Sequence, residues 1–308
     1  MARPEALWRR LDGWLFAPGD PRLLASLRIG LGAILGIRMA RGLYLDLAGQ
    51  PAGLFRPLSF MRVLPSMPPR GAVVALQAAG IAAAALAVLG VRARASLPVA
   101  WACALVLNGM TTSVGKVVHN DVLTLIALLP LLAAPTSDAW SVDGFLRRRR
   151  GLPSPPAVSV RHGWPVRTAM VAVAGAYFFI GLNKLIYSGP AWVTGDNLRF
   201  VLYAASDAQR VPNGAGLFVA DRPLLAHAVA AVTLLLEVTF PVVLFRPKLR
   251  WLYLPGVIAL HLGILATMHL DYWPWIATVL VVFVDWPAVV DRAIAYARAR
   301  PSTRSAPA

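Results

Sequence analysis

The chain has 308 residues, of which 58% are hydrophobic and only 14% charged, with a mean hydropathy of +0.63. A soluble domain carries about 25% charged residues, so this composition excludes a soluble globular fold in favour of a polytopic membrane protein. The net charge of +16 resides mostly in arginines at the ends of apolar blocks, which fits membrane orientation rather than nucleic acid, and the lone Cys103 excludes an internal disulfide or a cysteine metal cage.

Residues 1–22 read as a cytoplasmic amphipathic segment, since no apolar core followed by a cleavage site is present. Eight apolar blocks follow, at 23–45, 71–91, 97–114, 117–134, 166–187, 223–246, 251–268 and 272–290. Only helices or closed barrels satisfy the backbone in lipid. Long blocks rich in Leu and Ala, without strict alternation, are helices. The expected fold is therefore an all-α membrane bundle of about eight transmembrane helices over 23–291, with seven to nine fitting the pattern. Residues 292–308 are expected to form a basic, disordered cytoplasmic tail.

Charge sets the expected orientation. With eight spans and the N-terminus inside, the inner segments are MARPEALWRR, VRARAS (91–96), FLRRRRG (145–151), FRPKLR (245–250) and the tail, all basic. The outer segment MHLDYW (268–273) has no Lys or Arg, and in 188–222 Arg199, Arg210 and Arg222 are offset by Asp196, Asp207 and Asp221. Segment 46–70, with Arg56, Arg62 and Arg70, is the exception. The positive-inside rule favours both termini in the cytoplasm. That arrangement gathers Lys116, His119, Asn120, Asp121, Lys184, Trp192, His269 and Asp271 at the outer side.

Ionisable residues within spans are costly and therefore informative. Of 30 basic residues only three are lysines, Lys116, Lys184 and Lys248. On a helix Tyr177, Gly181 and Lys184 share one face. Lys184 either snorkels to the interface or faces the interior, where a desolvated amine becomes a base. Glu237 lies near mid-span and needs a partner or a proton; Arg28, also within a span, is the expected partner in a structural ion pair, with proton handling as the alternative. His261 is either a hydrogen-bonded packing residue or a site residue. Asn108 and Gln77 read as inter-helix hydrogen bonders, and Gly32 and Gly36 form a GxxxG packing pair. GMTTSVGKV (109–117) fails as a P-loop because its glycines are misplaced and valine stands where Ser or Thr must hold magnesium. No histidine pair has zinc-ligand spacing, and no metal is expected.

Three stretches resemble the vitamin K-dependent γ-carboxylases. GLNKLIYSGPAWVTG (181–195) resembles their Gly-x-x-Lys-Leu helix followed by Trp-x-x-Gly. WSVDGF (140–145) resembles their Ser-x-Asp-Gly segment, which follows a helix that begins at a histidine, here His119. An acidic residue in one helix and a histidine in the next correspond to Glu237 and His261. The N-terminal LLASLRIGLG is similar to the broader family of horizontally transferred transmembrane (HTTM) domains. The resemblance covers about residues 105–290. Asn183 departs from it, standing where the animal enzymes have a second lysine, and so does the order His119-Asn120. The large outer domain that binds the substrate propeptide in the animal enzymes has no counterpart in these 308 residues, which leaves open quinol oxidation alone, carboxylation of another target, or no catalysis.

What the resemblance implies is an enzyme that uses a reduced naphthoquinone (vitamin K or menaquinone) with O2 and CO2 as co-substrates, and no metal. A lysine base deprotonates the quinol, oxygen chemistry yields a strong base and the epoxide, and CO2 adds to a glutamate γ-carbanion. By resemblance Lys184 is the base, His119 and His261 hold quinol or oxygen species, and Asn120, Tyr177, Gly181, Asn183 and Trp192 line the pocket. The implied partners are the lipid bilayer, the quinol and a glutamate-containing peptide or protein, but no nucleic acid. The implied location is a bacterial inner membrane with the site facing outward. The competing expectation is a non-catalytic HTTM protein that assists export, modification or immunity of a peptide or small molecule.

Overall fold

Asp20 opens the first long apolar helix: its carboxylate accepts the backbone N–H of Arg22 at 2.7 Å, and Pro21 occupies the first turn, where its missing N–H costs nothing. The structure, a computed structural model, describes residues 4–114, 119–209 and 211–299. Lys116 lies outside the described residues. The helices in chain order are α1 (Pro4–Leu15), α2 (Pro21–Arg41), α3 (Arg70–Leu89), α4 (Ala93–Thr112), α5 (Val122–Leu128, continued by a 3-10 turn Leu129–Ala133) and α6 (Val142–Arg149). They are followed by α7 (Val160–Ser188), α8 (Asn197–Asp207), α9 (Gly214–Ala220), α10 (Pro223–Thr239), α11 (Arg250–Met268), α12 (Trp273–Phe283) and α13 (Trp286–Ala299). Among the described residues no β-strand forms, and the fold is an all-helical bundle.

Among the described residues five helices, α2, α3, α4, α7 and α11, are long and apolar enough to cross a membrane; the bent pairs α9–α10 and α12–α13 raise the number to seven if each is one span. All eight apolar blocks contain helix, but three are interrupted. The block 117–134 shortens to α5 and its 3-10 turn, because Pro130 cannot donate the next helical hydrogen bond. The block 223–246 breaks after Thr239, ahead of Pro241, and resumes as Val242–Phe245. The block 272–290 breaks at Val284, and α13 then starts at Trp286 with Pro287 in its first turn and Asp285 accepting the backbone N–H of Ala288. Residues 292–299, expected as a disordered tail, therefore continue a capped helix. Residues 300–308 lie outside the described residues.

The core is built around α2 and α7. Leu24, Leu27, Leu31, Leu35 and Met39 of α2 are almost fully buried. Gly32 and Gly36 face α3: a Cβ on Gly32 would meet Val88 and one on Gly36 would meet Ala84, both at 3.3 Å, so the GxxxG pair allows close helix approach. Gln77 of α3 donates to the Met39 carbonyl at 2.7 Å, and Asn108 of α4 reaches Asp121 at 3.4 Å. These are the inter-helix bonds read from the sequence. α10 and α11 carry exposed Val232, Leu235, Trp251, Leu252 and Leu262, an apolar exterior suited to lipid.

The basic segments gather at one end. There Arg22 pairs with Asp291 of α13, and Asp143 of α6 accepts the backbone N–H groups of Arg92 and Ala93. Arg250 contacts the Phe283 carbonyl at the same end. At the opposite end Arg38 pairs with Asp121 at 2.5 Å, and Asn120 donates to the Asp271 carbonyl at 2.6 Å. α7 has 29 residues, roughly 43 Å at 1.5 Å per residue, which exceeds a hydrocarbon core of about 30 Å. Its first turns are packed at the basic end, with His162 and Val166 buried. There His162 bonds Asp138 at 2.9 Å, and Arg167 donates to the Ala17 carbonyl.

Candidate functional site

Tyr177, Gly181 and Lys184 do share one face of α7, and that face meets α10. Gly181 is where the two helices approach most closely: a Cβ there would lie 2.8 Å from Val238, 2.9 Å from Glu237 and 3.0 Å from the Val238 backbone nitrogen. This contact brings Glu237 beneath Lys184. The Lys184 ammonium donates to both carboxylate oxygens of Glu237, each at 2.6 Å. The carboxylate side chain is 7% exposed and the lysine 19%, so the pair is largely removed from water, where an ion pair is worth more than at a surface but each desolvated charge costs more. Trp192, from the short helix Ala191–Thr194, covers the pair with its ring centroid 5.0 Å from Nζ, in cation–π geometry.

The expected Arg28–Glu237 pair does not form. Arg28 lies early in α2, toward the basic end, and is fully buried there. Its guanidinium donates to the carbonyls of Thr136 (2.9 Å) and Trp140 (2.5 Å). Sequence patterning placed Glu237 near mid-span and Arg28 inside a span, without the depth of Arg28. Backbone carbonyls take both terminal nitrogens of the arginine while its Nε has no partner, and Glu237 turns to α7 instead.

Deeper in the bundle an aromatic cluster surrounds His261. Tyr177 and His261 are hydrogen-bonded at 2.8 Å (Oη to Nε2), and Tyr177 stacks on Phe240 at 4.7 Å between centroids. Trp275 packs edge-on to Tyr177 at 5.6 Å and against His261 at 5.6 Å. Tyr272 continues the cluster outward: its ring is 5.5 Å from that of His261, and its hydroxyl is 2.7 Å from His119 Nε2. Burial pushes the Tyr272 phenol above the usual tyrosine range. The His119 side chain is exposed, and its carbonyl accepts the Trp275 indole N–H at 3.2 Å. Tyr272, Trp275 and Phe240 were missed by the sequence reading. Tyr272 and Trp275 stood in the apolar block 272–290 with no role assigned, and only tertiary packing shows that their rings turn inward.

Thus His261 and His119 belong to one aromatic chain, and Lys184 joins it through α7, about two turns from Tyr177 on the same face. Glu237 links the two parts electrostatically, acting on both Lys184 and Tyr177. Asn183 is exposed and does not join the pair. Asn120 is tied to the Asp271 carbonyl, Asp271 caps the Trp273 N–H, Asp121 is taken by Arg38, and His269 is exposed. The WSVDGF segment lies at the basic end, where Ser141 caps α6 by accepting the Gly144 N–H at 2.9 Å; its role there is structural. Among the described residues no group of three His, Cys, Asp or Glu side chains is placed to hold a metal ion.

Two buried atoms beside these residues have no hydrogen-bond partner: Trp192 Nε1 and His261 Nδ1. Buried polar atoms are rarely left so. They leave one donor at the lysine end and one ring nitrogen in the aromatic cluster unpaired. Cavities of about 170 and 370 Å3 lie elsewhere, at the basic end around Trp14. Lys184 is 17 residues along α7 from Arg167, the cavity residue, or about 25 Å.

No curated protein and no solved structure matches the chain. The family model for the HTTM domain matches residues 16–286, which spans every long apolar helix and both parts of the site. With its apolar helical bundle, the chain is an integral membrane protein and belongs to the HTTM domain family.

Proposed function

We propose that the protein is a quinol-dependent membrane enzyme of the γ-carboxylase type, with its site between α7, α10, α11 and α12 near the end opposite the basic one. The observation that carries this reading is the buried Lys184–Glu237 pair beneath Trp192. Arginine does nearly all other cationic duty in this chain and is always protonated, so it cannot act as a base; lysine can. The orphaned Trp192 Nε1 and His261 Nδ1 would hold the ring oxygens of a reduced naphthoquinone. When bound, such a quinol supplies, with O2, the strong base that removes a carbon-bound proton before CO2 adds.

The chain's own residues then have separable tasks. Glu237 takes the shared proton from Lys184 and leaves a neutral amine, which accepts the quinol proton. Two hydrogen bonds from Nζ to one carboxylate place that transfer within a single contact. Tyr177, Phe240 and Trp275 keep water from the reacting centre. Tyr272 and His119 continue the polar path to the exposed end. The basic segments favour eight crossings, with α5 and its 3-10 turn as a short one, both termini in the cytoplasm of a bacterium and the site facing outward. A glutamate-containing peptide or protein would approach from that side.

A non-catalytic role in export, modification or immunity is the second reading. It draws on the same pair seen as closed, with both Glu237 oxygens already occupied by Lys184. The test is to reconstitute the protein with reduced menaquinone or vitamin K, O2 and bicarbonate and to measure quinone epoxide. Catalysis predicts epoxide from the wild type and none from Lys184→Ala with quinone binding retained. No epoxide from the wild type with either quinol favours the non-catalytic reading.

A further inference from the structure

The cavities at the basic end belong to neither part of the site. The inner one, about 170 Å3, is lined by Trp14, Leu23, Val166 and Met170 on its apolar side and by Arg167 and Arg250 on its polar side. The outer one, about 370 Å3, shares Trp14, Leu244 and Pro247 with it and adds Arg10 and Phe245. The shared residues set the two side by side, the inner walled by arginines and the outer beside α1. Among the described residues, Arg10, Arg167 and Arg250 form none of the ion pairs with carboxylates. Asp285 acts on Arg250 only from a distance, and the nearby Asp138 is taken by His162 and Arg147.

Arg167 donates to the Ala17 and Pro18 carbonyls, whereas Arg250 is weakly engaged. Arg250 reaches the Val243 and Phe283 carbonyls at 3.3 and 3.4 Å and the Met170 sulfur at 3.9 Å, all long contacts. At the mouth Phe245 is 56% exposed to the surroundings, with Arg246 and Lys248 exposed beside it. A free soluble anion would have no use for the Phe245 ring. A molecule with one negative phosphodiester and long acyl chains would use both parts.

We propose that this cavity is a binding site for an anionic phospholipid, its phosphate held by Arg167, Arg250 and Arg10 and one chain lying past Trp14 and Phe245 into the bilayer. The α1 helix, whose Trp14 packs on Phe245 at 5.9 Å, forms one wall. Occupancy therefore ties the N-terminal helix to α7 and to the segment before α11. Basic pockets between spans commonly hold anionic headgroups, and each arginine adds attraction.

The test is native mass spectrometry of the full-length protein released from nanodiscs containing equal phosphatidylglycerol and phosphatidylcholine with identical chains. The wild type should retain one phosphatidylglycerol in preference to phosphatidylcholine, and should keep it in excess inorganic phosphate. Arg167→Gln/Arg250→Gln should lower that retention by roughly tenfold or more. Those arginines also bond backbone carbonyls, so Leu244→Trp, which fills the cavity and leaves every charge, provides the second arm and should lose the lipid as well. Equal retention of both lipids by the wild type would overturn the proposal. So would undiminished phosphatidylglycerol on the Leu244→Trp variant, or displacement by inorganic phosphate, which would mark a free-anion site.

Discussion

Lys184 and Glu237 show what a buried charge demands. Each is stable at that depth because the other is there, and neither has a second ionic partner. Replacing Glu237 by Ala leaves an uncompensated cation and should cost about 3–5 kcal/mol. Lys184→Met together with Glu237→Leu should cost clearly less than the two single changes added, because the apolar pair needs no counter-charge. Unfolding in mixed detergent micelles measures all four states of the cycle; additive losses would show that the pair is not coupled. Lys184 was legible in the sequence from the rarity of lysine and from the residues around it. Its partner was not. Glu237 and Arg28 each looked like a charge in need of an opposite, and only the depth of each along its helix decides that Arg28 takes the Thr136 and Trp140 carbonyls instead.

Helix contacts carry that depth. The α7–α10 crossing at Gly181 sets the height of Lys184 over Glu237, and the absent side chain is what lets the backbones meet. Gly181→Ala should cost about 1–3 kcal/mol, as overpacking does, and should lower epoxide formation more than it lowers expression. If stability and activity were both unchanged, the crossing would not be what aligns the pair. At this scale most of the fold could be read in advance. Every apolar block became helix, and the Gly32–Gly36 pair packs on α3 as its spacing implies. The breaks in α5, after α10 and before α13 were not foreseen, although Pro130, Pro241 and Pro287 stood in the sequence. Hydropathy averages over a proline, whereas the hydrogen-bond ladder does not. The inward turn of Tyr272 and Trp275 was unreadable for a different reason: an interfacial aromatic and a site aromatic have the same composition.

Across the whole molecule, the division into a basic end and a site end organises the account. The arginine-rich α6, the turn before α4 and the segment before α11 lie at one end, and Lys184, His119 and Asp271 lie toward the other. If the basic end is cytoplasmic, a cysteine at Arg148 in a Cys103→Ala background should be shielded from an impermeant thiol reagent in intact cells. Cysteines at Ala205 and Leu270 should label. Labelling of positions 148 and 270 from the same side would contradict the orientation.

The central claim, that Lys184 serves as a base rather than as a charge, is tested most directly by comparing epoxide formation in Lys184→Arg and Lys184→Ala with that of the wild type. Arginine can restore the cation beside Glu237 but cannot give up its proton. The account predicts that Lys184→Arg recovers stability toward the wild type yet is as inactive as Lys184→Ala. An arginine variant that forms epoxide at a rate near that of the wild type would contradict it, because Lys184 would then supply only positive charge.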